Sequence, residues 1–255
     1  MEDPAIQVLS LPRRLVAEAL GTGFLLAAVV GSGILGQRLA GGNTAIALLA
    51  NALATAAVLF ALIQWLAPVS GAHLNPMVTA VMAVRGDVSR RIAATYVPVQ
   101  MLGAVIGAAG ADVMFGEPVF SLSTHARHGT AQLFGEFVST FGLVGAVWVC
   151  SRTRPSSVAG VAAAYVGGAF WFTPTGFANP AVTVARALTN TFSGIRPVDV
   201  PGFVAAEIAG AAVAVVVFGW LLPTAREGAA LGEGSHRTET GPSAMNETLS
   251  MLGDR

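Results

Sequence analysis

The sequence predicts an all-α membrane protein: six transmembrane helices plus two re-entrant half-helices, arranged as an inverted repeat. Three observations carry that reading. Hydrophobic residues make up 54% of the chain and charged residues 11%, with a mean hydropathy of +0.67, which is too apolar for a soluble domain. Six apolar runs are long enough to cross a bilayer, which takes roughly twenty helical residues. Finally, two short elements, Asn75-Pro76-Met77 and Asn179-Pro180-Ala181, stand at matching places in the two halves of the chain.

The spans fall at about 13–35, 46–67, 92–114, 131–150, 156–173 and 202–222. Between the second and third, and again between the fifth and sixth, an Asn-Pro step begins a helix. Asn caps free backbone N–H groups, and Pro tolerates the first helical position because its missing donor costs nothing there. Only about ten helix-compatible residues follow each step, 77–84 and 181–188, half of what a span requires. Paired short segments of this kind in corresponding halves point to a solute site near the midplane, with positive helix N-termini facing the solute.

An internal repeat supports the division into halves. Glu18-x-x-x-Thr22-x-x-Leu25 recurs as Glu136-x-x-x-Thr140-x-x-Leu143, and Gln100-x-x-Gly103-Ala104 as Glu207-x-x-Gly210-Ala211. Three spans per half force the halves into opposite orientations, which places a pathway between them. Gly103-x-x-x-Gly107 suits close helix approach in lipid.

Charge placement sets the expected orientation and excludes several functions. Arg13, Arg14, Arg85, Arg90, Arg91, Arg152, Arg154 and Arg226 gather on one side of a six-span arrangement, against Arg38, Arg127, Arg186 and Arg196 on the other. By the positive-inside rule both termini are expected in the cytoplasm of a plasma membrane protein, bacterial by its short loops. The net charge is zero and the basic residues are scattered, so nucleic acid is not an expected partner. Cys150 is the sole cysteine, so neither an internal disulfide nor a cysteine metal cluster is expected. Arg13-Arg14 before an apolar stretch resembles a secretion signal. However, Glu18 interrupts that stretch, and a first transmembrane helix is the better reading.

The two Asn-Pro motifs, the segment Ser70-Gly-Ala-His-Leu-Asn-Pro and the repeated Glu18 and Glu136 together resemble the aquaporin (major intrinsic protein) superfamily over nearly all of 13–222. The resemblance implies a channel domain at 13–223, with repeats at about 13–115 and 131–223. It would be flanked by a cytoplasmic segment 1–12 and a disordered cytoplasmic tail 224–255. It also implies a homotetramer with one pore per chain, no cofactor, no metal and no enzymatic activity. Asn75 and Asn179 would offer amide N–H donors to passing oxygens, beside helix N-termini that repel cations and protons. Glu18 and Glu136 would brace the motif loops. The alternative for an intramembrane carboxylate is a proton relay. His73 would line the pore, make a structural contact or act as a pH-sensitive gate. Met77, where the family usually has Ala, reads as an apolar cap.

One departure matters. Most members of the family follow the second Asn-Pro-Ala with Arg, whereas this chain has Val182. Counting from the motifs, the other constriction positions fall at Thr55, Gly167 and Gly176, with Phe177 taking the last if the loop shifts by one. Such a constriction is wider and less polar than that of a strict water channel. Arg186 lies four residues past Val182, about 6 Å along the same helical face. It reads either as a vestibule charge or as an anchor at the surface or an outer loop. The segment around Val182 also resembles a bacterial branch associated with arsenic resistance. The expected function is therefore a passive channel for small uncharged solutes: water, glycerol-like polyols and neutral trivalent or methylated arsenicals. Two alternatives stand beside it, a water-selective aquaporin and, from another class, a secondary transporter. The latter would draw its ionisable site from Glu18, Asp112, Glu136 and Glu207.

Overall fold

The computed structural model describes residues 9–222. Most of the expected N-terminal segment, the whole tail 224–255 and Arg226 lie outside the described residues. Eight α-helices follow in order: α1 Leu11–Leu39, α2 Thr44–Ser70, α3 Pro76–Arg85, α4 Arg90–Phe115, α5 Thr130–Thr153, α6 Val158–Phe172, α7 Pro180–Ala185 and α8 Val200–Leu221. Residues up to Val216 form one compact unit, and the described part of the second, from Val217, is the end of α8. No strand occurs among the described residues.

The half-helices begin where the Asn-Pro steps place them. α3 runs for 10 residues, and α7 for 6 before tightening into a 3-10 turn at Arg186–Leu188. Five of the other helices are long and apolar enough to span a bilayer. The sixth, α6, has 15 residues after a 3-10 turn at Pro155–Ser157, and is shorter than the expected 156–173. Proline explains both ends. Pro155 opens the 3-10 turn. Pro174 forces the preceding Thr173 out of the helical region, to φ −120° and ψ 156°.

Glycine sets how closely the helices approach. A Cβ on Gly103 would lie 2.2 Å from Ala19 O, and one on Gly107 1.9 Å from Gly23 O, so α4 presses its backbone directly onto α1. The repeat does the same in the second half, where a Cβ on Gly210 would stand 2.4 Å from Phe137 O, between α8 and α5. These contacts gain dispersion energy that a larger residue would forfeit. Gly103→Ala and Gly107→Ala are each expected to cost about 1–3 kcal/mol by overpacking. Thermal unfolding in detergent measures this, and an unchanged midpoint would count against the close packing. Leu20, Phe24, Ile106 and Phe134 remain exposed, an apolar surface suited to lipid or a neighbouring subunit.

Candidate functional site

The two motifs are built alike. Asn75 and Asn179 are extended (φ −158° and −159°) and cap their half-helices. Oδ1 of Asn75 accepts from Met77 N–H at 2.8 Å, and Oδ1 of Asn179 from Ala181 N–H at 3.0 Å. Each Nδ2 reaches across to the opposite loop: Asn75 donates to Ala178 O at 2.7 Å and Asn179 to Leu74 O at 2.9 Å. A primary amide carries two N–H groups, so each Asn keeps one donor beyond the bond that docks the motifs together. Both residues line a cavity of about 970 Å³ that passes the two motifs.

The loops leading into the motifs are strained. Ala72 (φ 48°) and Leu74 (φ 51°) precede Asn75, and Gly176 (φ 78°) and Ala178 (φ 49°) occupy the same offsets before Asn179. A non-glycine residue in this region costs on the order of 1–3 kcal/mol and persists only where its surroundings hold it. Buried carboxylates hold it here. Glu18 Oε1 accepts from Ser70 Oγ (2.6 Å) and His73 N–H (3.0 Å), and Oε2 from Leu74 N–H (2.7 Å) and Gln100 Nε2 (2.8 Å). Glu136 Oε1 accepts from Phe177 N–H and Oε2 from Ala178 N–H, both at 2.9 Å. Glu207 continues the series, accepting from Asn179 N–H (3.1 Å) and Thr183 Oγ1 (2.6 Å). Sequence reasoning paired Glu207 with Gln100 and considered Glu207 only for a transporter's ionisable site, giving neither residue a bracing role. Their register in the repeat was the available signal.

His73 lines the cavity, its Nδ1 3.1 Å from Thr79 Oγ1 and its ring edge-on to Tyr96. At that mouth the lining includes Arg14, which donates to Tyr96 Oη at 2.7 Å, and Arg85, which pairs with Asp87 and donates to Trp148 O and Ser151 Oγ.

Beyond the motifs, Thr55, Gly176, Phe177, Val182 and Arg186 all line the cavity. Thr55 is buried, and its hydroxyl has no hydrogen-bond partner among the described residues. Gly167 is not part of the lining. A Cβ there would meet Ala56 Cβ at 3.0 Å, so it lies against α2, while Val166 and Phe170 supply the α6 wall. One residue of helix register, about 100°, separates the two outcomes. Gly176 and Phe177 are both part of the lining, so the loop presents the two positions together. Arg186 is 5% exposed, and its guanidinium stacks on the Phe177 ring with Cζ 3.5 Å from the centroid while Nε donates to Ser193 O.

Sequence reasoning gave Arg127 no part in this arrangement. It sits in the connection between α4 and α5, its Cζ 5.3 Å from the Phe177 centroid, with Nε donating to Gly194 O at 2.8 Å. No motif marks it, so the sequence carries no signal for this contact.

Comparison with known proteins agrees with this architecture. Residues 5–173 match the family model described as major intrinsic protein. The chain is 49% identical over 222 residues to the aquaglyceroporin AqpS of Rhizobium meliloti (strain 1021), covering 87% of this chain and 95% of that one. It is 30% identical to human aquaporin-5 over 189 residues, 67% of this chain and 68% of the relative. Among solved structures, the aquaglyceroporin from Plasmodium falciparum superposes with a TM-score of 0.58 at 20% identity, over 82% of this chain and 94% of that one, a likeness of fold.

Proposed function

Because the chain belongs to the major intrinsic protein family, whose members of the aquaglyceroporin branch are channels rather than enzymes, we propose that it is a passive pore whose constriction is widened by Val182. It is a multi-pass membrane protein for water and glycerol-type solutes. The finer reading adds larger uncharged solutes, including neutral trivalent or methylated arsenicals. The observation that carries it is Val182 itself, buried in the cavity wall between Asn179 and Arg186, where a short apolar side chain leaves room that a guanidinium would fill. Methyl groups suit that wall, and hydroxyls find donors at Asn75 and Asn179. Anions and cations alike lose their water there at high cost.

A coupled transporter is the less favoured reading. Both oxygens of Glu18 and of Glu136 are committed to loop bonds, and no group of three or more potential metal ligands occurs among the described residues. The arginine-rich mouth near Arg14 and Arg85 supports a cytoplasmic placement of the N-terminus, and assembly as a homotetramer follows the family pattern.

Stopped-flow light scattering on proteoliposomes tests the reading with water, glycerol and a neutral trivalent arsenical against empty vesicles. Rapid influx of glycerol and arsenical is expected. Rapid water with no solute influx would make the pore water-selective, and dependence on a proton or sodium gradient would make it a transporter.

A further inference from the structure

We propose that Arg186 is the cation-excluding charge of the outer filter, displaced one helical turn from position 182, and that Asp112, acting through Thr189, positions it. The inference rests on the channel reading. Arg186 shares its cavity with Thr55, Phe177 and Val182, so its charge faces the same path that a solute takes. It is held rigidly: Phe177 covers one face of the guanidinium, and Nε is tied to Ser193 O. Among the described residues no carboxylate oxygen lies within 4.0 Å of it; Glu136 is near enough to attract it, but both Glu136 oxygens are taken by the Phe177 and Ala178 N–H groups, so no direct ion pair ties up the guanidinium. Arg127 beside the same ring adds a second cation rather than a counter-ion. A buried positive charge that is in no direct ion pair repels a passing cation, because little water screens it.

The carbonyl that holds Arg186 belongs to a segment folded back on itself, in which Ile195 N–H donates to Arg186 O. That segment is anchored to α4. Thr189 Oγ1 donates to Asp112 Oδ1 at 2.7 Å, and the hydroxyls of Thr191 and Ser193 follow at 3.2 Å and 3.5 Å. Asp112 (1% exposed) and Thr189 (0%) are buried and are not part of the lining, so they act on the pore through this segment. Val182 and Arg186 thereby divide a task that one arginine performs elsewhere in the family. Size is set at 182, and charge one turn further out.

The test reads two fluxes in the same proteoliposomes: glycerol influx by light scattering, and cation leak by an enclosed pH dye under a potassium diffusion potential. In Arg186→Met the ratio of leak to glycerol influx is expected to rise about tenfold or more, and in Arg186→Lys to stay near that of the native chain. Thr189→Val is expected to raise the ratio and Thr189→Ser to restore it, a pattern that general loosening of the fold would not produce. An unchanged ratio in Arg186→Met overturns the assignment of charge, and an unchanged ratio in Thr189→Val overturns the positioning role. Should Arg186→Met fail to fold, Arg186→Cys in a Cys150→Ser background is treated with cationic and neutral methanethiosulfonates. A lower leak with the cationic reagent alone supports the proposal, and equal effects reject it. Native protein that conducts no glycerol would instead defeat the channel reading.

Discussion

Val182→Arg is expected to cut glycerol influx by at least about tenfold, equivalent to ~1.4 kcal/mol on the barrier, while slowing water much less. Val182 is buried in the first turn of α7, next to the Asn179 cap and one turn before Arg186. A guanidinium there would fill space that a three-carbon solute needs and that a water molecule does not. It would also stand four residues from Arg186 on one helical face, where like charges repel, so the new side chain would extend into the open cavity. Stopped-flow permeabilities for both solutes measure the effect. Equal losses for water and glycerol would mean that the substitution merely damages the loop, and the size-filter account would fall.

Glu18→Gln and Glu136→Gln should both abolish flux and lower the thermal midpoint in detergent. In each native carboxylate the two oxygens take one backbone N–H apiece, His73 and Leu74 in the first loop, Phe177 and Ala178 in the second. A glutamine amide can present an oxygen to only one of them, whichever way it is turned. The other N–H then faces an NH2 group, at about 1–3 kcal/mol for the unsatisfied donor. The strained φ values at Leu74 and Ala178 lose part of what holds them. A proton relay predicts a different outcome, intact folding with altered proton dependence, and that result would displace the bracing role.

Much of the fold was legible because its signals are local or periodic. Span length follows from apolar runs, and the half-helices follow from an Asn cap and a Pro at the first position, which act within one turn. The structure adds 3-10 geometry at Arg186–Leu188 and shortens α6, both within the reach of neighbouring prolines and loop packing. The roles of Glu18 and Glu136 were legible only as alternatives. A buried carboxylate in a sequence can be a brace or a relay, and hydrogen-bond partners more than forty residues away favour the first.

By itself the sequence determined the all-α membrane class, the two-half organisation, the motifs that cap the half-helices and the absence of Arg after the second motif. Each of these depends on residue type and spacing along one stretch of chain. Only the tertiary structure decided which side chains share the cavity. It turned Gly167 toward α2, brought Phe177 beneath Arg186, and set Arg127 from a distant connection beside the same ring. Those outcomes depend on helix rotation and on loops folding over one another. A rotation of about 100° per residue exchanges a lining position for a packed one, and no local pattern records it.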